Sequence, residues 1–226
     1  MVENTSVERI KEIRGRQERF FRSGVTLDVK WRLERLKAFE AAVRKWEKPL
    51  CEALWTDLHK SYEEAYLTEV SILLGEIRSH IHNIRKWSRP QRKPTPLKMF
   101  PSSSRIISEP LGTALIISPW NYPVQLLLTP LVGAISSGCT AVLKPSPYVP
   151  NVSEVTRQMI EDTFSDEYVA VVQGNREVNT ALLEERWDLI FFTGSPALGR
   201  LVMGAAAKNL TPVVLELGGK SPCIVD

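Results

Sequence analysis

The sequence predicts an α/β protein. Helices come first, then a parallel sheet with helices on both faces, with an extended β arm between the two parts. Three observations predict this. From Gly112 onward, short apolar runs alternate with amphipathic helical segments, which is the pattern of strand–helix–strand units. The apolar runs carry no polar face, so both sides of the sheet must be covered. Before residue 90 the apolar residues recur at helical spacing instead, and a proline-rich stretch separates the two rhythms.

The elements follow in order. Val7, Ile10, Ile13, Phe20 and Phe21 fall near one face of a first helix that Gly24 stops. Leu33, Leu36, Phe39, Val43 and Trp46 continue the spacing in a second helix, and Pro49 opens a further turn. Ser61 with Glu64 is a capping-box pattern. It starts a long helix through Ala65, Tyr66, Leu73, Ile77, Ile81, Ile84 and Trp87 that ends before Pro90. "RPQRKPTPLKMFPSSSR" holds four prolines and is a linker or extended arm. "RIISEPLG" after it has β character. Strands are then expected at "TALIIS", "TAVLKPS", "YVAVVQG", "DLIFFTG" and "PVVLEL", with helices between them. This alternation is Rossmann-like, and ligands in such sheets bind beyond the carboxyl ends of the strands.

The totals restrict the function. A chain of 226 residues with 43% hydrophobic and 24% charged residues has ordinary globular composition. A net charge of +3, with acidic and basic residues interspersed, implies no nucleic-acid partner. Three cysteines make no disulfide framework and fit a reducing, cytoplasmic setting. The charged beginning "MVENTSVERIKEIRGRQERF" has no signal-peptide core. No charge occurs between Glu109 and Lys144. The prolines and glycines within that stretch make it a buried helix and strand rather than a membrane span.

The candidate site residues follow strands. In "FFTGSPALG", Gly194 and Ser195 open a helix whose N-terminus suits an anion, or they form a plain turn. Lys144 in "LKPSPYVP" can hold a ribose or phosphate oxygen, or be a solvated loop lysine. In "SPWNYP", Trp120, Asn121 and Tyr122 follow the first strand. The Asn121 amide suits a developing oxyanion, or it bonds local backbone. Glu216 in "LELGGKSP" is a candidate general base beside Gly218 and Gly219, which allow a tight turn or a close cofactor approach. Cys51 and Cys139 read as core residues, and Cys223 opens a further strand, "CIVD". The three histidines show no zinc spacing.

Taken together, "PWNYP", "LKPS", "FTGS" and "LELGGKSP" resemble the aldehyde dehydrogenase superfamily. "SEPLG" and "LTPVVLELGGKSPCIVD" resemble its class 3 branch. The resemblance covers essentially the whole chain. It implies NAD- or NADP-dependent oxidation of a small-molecule aldehyde to a carboxylic acid through a cysteine thioester. Asn121 would hold the oxyanion and Glu216 would activate the hydrolytic water. Lys144, Gly194, Ser195, Trp120 and Gly218 would bind the cofactor. It implies residues 1–89 and 109–215 as the NAD(P)-binding domain. Residues 90–108 would be an oligomerisation arm of a homodimer, and 216–226 the start of a catalytic domain. Two departures stand out. Pro147 occupies the position where many relatives carry a ribose-binding Glu, so NADP is expected to be tolerated. The family's nucleophilic cysteine lies well downstream of its ELGGK motif, and the chain stops ten residues past Glu216. The expectation is therefore a truncated chain that is inactive alone, aggregation-prone, and without nucleic-acid or membrane partners. Its alternatives are a non-catalytic nucleotide-binding or dimerising paralogue, and a coenzyme A-acylating aldehyde dehydrogenase.

Overall fold

The computed structural model describes residues 3–225. The first two residues of the charged beginning and the last residue of the expected catalytic-domain start lie outside that range. Helix α1 (Val7–Arg22) begins where the Ser6 hydroxyl accepts from the Arg9 N–H at 3.2 Å, and Gly24 follows it in the left-handed region at φ 79°. Then come α2 (Val29–Lys45) and α3 (Glu47–Leu58). The predicted long third helix is α4 (Tyr62–Ala65), a π-helical turn (Tyr66–Val70) and α5 (Ser71–Trp87) in one run. Ser61 caps it as expected, accepting from the Glu64 N–H at 3.2 Å.

The arm is a short antiparallel hairpin, β1 (Gln91–Lys93) with β2 (Ser104–Ile106). Of the predicted β segment "RIISEPLG", only Arg105 and Ile106 pair, and Ser104 before it completes the strand. The sheet comprises β3 (Thr113–Ile117), β4 (Thr140–Lys144), β5 (Val169–Val171), β6 (Leu189–Gly194) and β7 (Val213–Leu217). Helices α6 (Pro123–Ser137), α7 (Pro150–Thr163), α8 (Arg176–Glu184) and α9 (Pro196–Ala207) connect them. All pairs are parallel, in the order β5-β4-β3-β6-β7. The buried helix and strand expected in the uncharged stretch are α6 and β4, and the stretch also contains β3. Among the described residues no helix is long and apolar enough to cross a membrane.

The early helices do not stand apart from the sheet. Helix α1 packs on one face through Ile10 and Ile13, with α8 and α9 beside it. The buried face of α1 also takes in Arg14 and Gln17, whereas Val7 is exposed. Gln17 donates to the carbonyl of Ala141 in β4 at 2.8 Å, which satisfies a strand group from the helix layer. Helices α2, α3 and α5 join α6 and α7 on the other face, around Leu36, Phe39, Leu54 and Ile77. Each strand divides its side chains between the two faces: Ala114 and Ile116 of β3 enter one core, Leu115 and Ile117 the other. One predicted strand is absent. Cys223–Val225 of the "CIVD" segment are exposed and belong to no strand, and the last residue of that segment lies outside the described range. A strand needs a ladder partner to satisfy its backbone, and none lies beside this one among the described residues.

Candidate functional site

The chain runs from β3 through β4 to β5 on one side, then crosses to β6 and β7 on the other. The order reverses between β3 and β6. Beyond their carboxyl ends lies a cleft of about 610 Å³, bordered by Trp120, Lys144, Pro147, Thr193, Gly194 and Ser195. Its size is within the range of small-molecule sites, and its place is where open α/β sheets bind ligands. A depression of about 470 Å³ lies at the opposite, amino-terminal strand ends. Two of its polar side chains are already engaged: Arg14 donates to the Arg186 carbonyl at 2.5 Å, and Asp188 accepts from the Thr113 N–H at 2.8 Å.

Lys144 corrects the solvated-loop reading of its sequence context. The side chain is 1% exposed. Its register partner Ile117 belongs to the α1/α8/α9 face, so both point there. Lys144 Nζ donates to the Pro145 carbonyl at 2.8 Å. Burial pushes its pKa down from 10.5 to about 8. Ser118 and Thr193 also border the cleft, and their hydroxyls have no hydrogen-bond partner among the described residues; alternation turns Thr193, like its register partner Glu216, to the α6 side.

Ser195 caps α9, its hydroxyl accepting from the Leu198 N–H at 3.4 Å, with Pro196 in the first helical position. A Cβ on Gly194 would come within 2.6 Å of the Phe192 ring, so the strand end is narrow by necessity. Trp120 is half exposed at the rim. Gly218 does not line the cleft, and a Cβ there would meet nothing within 4 Å. Within this chain neither a left-handed turn nor crowding requires that glycine.

The two catalytic candidates lie toward the other face. Glu216 is the register partner of Thr193 on β7, and its neighbours Val213 and Leu215 point into the α1/α8/α9 core. Alternation therefore turns Glu216 to the α6 side, where it is exposed. Asn121 is exposed two residues before α6. Cofactor candidates and catalytic candidates thus meet at the carboxyl edge of the sheet from opposite faces.

Sequence reading missed two residues beside Asn121. Lys60 and Glu69 form a buried ion pair, Nζ to Oε1 at 2.7 Å. Lys60 also donates to the Asn121 carbonyl at 2.8 Å and lies 4.0 Å from the centre of the Tyr122 ring. Glu69 Oε2 accepts from the N–H groups of Val124 at 2.8 Å and Gln125 at 3.2 Å, capping α6 from outside. Desolvation raises the Glu69 pKa, against the lowering by Lys60 and the two backbone donors. The signal was available: Glu69 sits four residues from both Ala65 and Leu73, a charge within the apolar stripe.

Cys51 and Cys139 are buried and Cys223 is exposed; none lines the cleft. Among the described residues no group of three or more His, Cys, Asp or Glu side chains could hold a metal.

Residues 2–226 match the Aldehyde dehydrogenase family. The chain is 45% identical to the 4,4'-diaponeurosporen-aldehyde dehydrogenase of Staphylococcus aureus over 92% of its own length and 45% of that protein. It is 44% identical to human aldehyde dehydrogenase family 3 member B1, over 91% of the chain and 44% of that protein. Among solved structures, the substrate-bound state of Staphylococcus aureus AldH superposes with a TM-score of 0.92 at 43% identity, covering 94% of this chain and 46% of that one. The betaine aldehyde dehydrogenase of Staphylococcus aureus in complex with NAD+ gives a TM-score of 0.86 at 26% identity, covering 96% and 44%. The chain spans about half the length of the relatives it matches.

Proposed function

The chain belongs to the aldehyde dehydrogenase family, and on that premise we propose that it supplies the nicotinamide-dinucleotide site and two catalytic groups for oxidising an aldehyde to a carboxylic acid. The supporting observation is the convergence of Lys144, Trp120, Gly194 and Ser195 on one cleft at the switch point of the sheet. Lys144 and the Ser118 hydroxyl suit ribose and phosphate oxygens. Ser195 and the start of α9 suit a phosphate. When bound, the nicotinamide supplies the hydride acceptor.

The chain's own residues bind, orient and move protons. The Asn121 side-chain amide donates to the aldehyde oxygen as it gains negative charge. The Glu216 carboxylate accepts a proton from the water that releases the acyl group as acid. The attacking thiolate comes from a cysteine other than the three present. Burial raises the Cys51 pKa to about 11, which opposes thiolate formation. Cys139 is enclosed in the core, and Cys223 lies away from the cleft. The hairpin of residues 90–108 serves dimerisation, its tip presenting Leu97 and Phe100 to solvent. The setting is cytoplasmic.

Titration of the chain with NAD and with NADP by calorimetry tests the site. Saturable binding of both is expected, with affinities within about tenfold of one another, since Pro147 offers no carboxylate against a 2′-phosphate. Lys144→Met weakens both by about tenfold. Absence of saturable binding overturns the reading; a larger preference for NAD overturns only the part resting on Pro147. One observation favours a second reading, a nucleotide-binding chain without chemistry: no cysteine lines the cleft among the described residues. The intact mass of the natural polypeptide, followed by an assay of aldehyde-dependent NAD(P)H formation, separates the two.

A further inference from the structure

Lys60 and Glu69 grip both ends of one short segment. Lys60 holds the carbonyl of Asn121, and Glu69 holds the N–H groups of Val124 and Gln125. Between them Tyr122 has a non-helical backbone, φ −131° and ψ 66°, and offers no side-chain cap to α6. Pro123 has no N–H to contribute. Without Glu69 the first turn of α6 would have no side-chain acceptor.

The means is costly in two ways. Lys60 is 8% exposed and Glu69 0%, so both charges are desolvated. Replacing a buried pair of that kind by two apolar side chains of similar volume is often neutral or stabilising. Glu69 also sits within the π-helical turn Tyr66–Val70, a rare local geometry often found at functional sites. What the pair provides and an apolar pair would not is directional bonding to a specified stretch of backbone. An oxyanion donor has that requirement, because a small misplacement of the amide loses most of its effect.

We propose that Lys60 and Glu69 are positioning residues that fix the backbone of Asn121 and the first turn of α6, so that the Asn121 amide is held in one direction. The catalytic part of this rests on the reading of Asn121 as the oxyanion donor.

The first test uses the chain itself. Lys60→Met with Glu69→Met keeps the buried volume and removes the bonds. Amide hydrogen exchange at Val124 and Gln125 is expected to accelerate at least about tenfold relative to Leu143 in β4. Exchange at these amides that changes only in step with Leu143 would mean that the pair is merely structural, and the proposal falls. Lys60→Met with Glu69→Leu is read in the same way if the methionine pair does not fold.

The second test uses the natural polypeptide with aldehyde and cofactor. Asn121→Ala is expected to lower kcat by about 10²–10³. The methionine pair lowers kcat by about tenfold or more with aldehyde KM unchanged, and adds nothing to Asn121→Ala when the three changes are combined. Multiplying losses would overturn the positioning role. An unchanged kcat for Asn121→Ala would remove the oxyanion reading alone, and the exchange measurement would still decide what the pair holds.

Discussion

Strands β4 and β7 each carry a charged residue near the carboxyl end of an apolar run, Lys144 in one and Glu216 in the other. Their surroundings are opposite. All five residues of β4 are buried, whereas β7 is largely open and Glu216 is exposed. Strand β4 lies between β3 and β5, with α1 over one face and α6 and α7 over the other. Strand β7 pairs with β6 alone among the described residues, and α9 covers one of its faces. The same local pattern thus produces a desolvated ammonium at one strand end and a hydrated carboxylate at the other. Neighbours in space make the difference.

Core truncation should show the contrast most strongly. Leu143→Ala removes a fully buried side chain from β4 and is expected to cost about 2–5 kcal/mol. Val214→Ala on β7 is expected to cost about 0.5 kcal/mol or less, because Val214 is 40% exposed. Urea denaturation of both variants measures the difference. Equal costs would mean that the α6-side face of β7 is as well packed as the sheet centre.

Lys144 sharpens the comparison through pH. Its folded pKa of about 8 lies below the ordinary 10.5. Between those values the unfolded chain binds a proton that the folded chain does not, so stability rises with pH across that window. The contribution is fully present above pH 10.5 and is lost as pH falls through about 8. Its full size is about 3 kcal/mol. Lys144→Met is expected to flatten this slope in denaturation curves taken at pH 8 to 10.5, and a slope unchanged in the variant would assign the effect elsewhere.

Glu216→Gln gives the smallest effect on stability, less than about 0.5 kcal/mol, because nothing among the described residues depends on its charge. In the natural polypeptide the same change is expected to block hydrolysis after a first round of NAD(P)H formation. A burst without steady turnover is the signature; full steady turnover would remove Glu216 as the base.

Most of the fold was legible because it repeats. Apolar runs without a polar face, each followed by a helix at regular spacing, admit few arrangements other than a covered parallel sheet. The strands around Leu115, Val142 and Ile190 all fall where the pattern placed them. The "CIVD" strand failed because a strand is defined by its partner, and an apolar run does not supply one. The site was legible in part. Lys144, Gly194, Ser195 and Trp120 could be placed beside the cleft because strand ends are readable; their role in binding a cofactor is a proposal. Lys60 and Glu69 were missed because their partners, Asn121 and Val124, lie 61 and 55 residues away along the chain.

What the sequence determined by itself was the order and type of the elements, since periodicity is a local property of the chain. Its motifs, in their order, also pointed to the family. Only the tertiary structure decided which charges lose their water. It buried Lys144 between helix layers and left Glu216 in solvent. It closed Lys60 and Glu69 over the backbone beside Asn121. Desolvation depends on what packs above a side chain, and that is set by segments far away in the sequence.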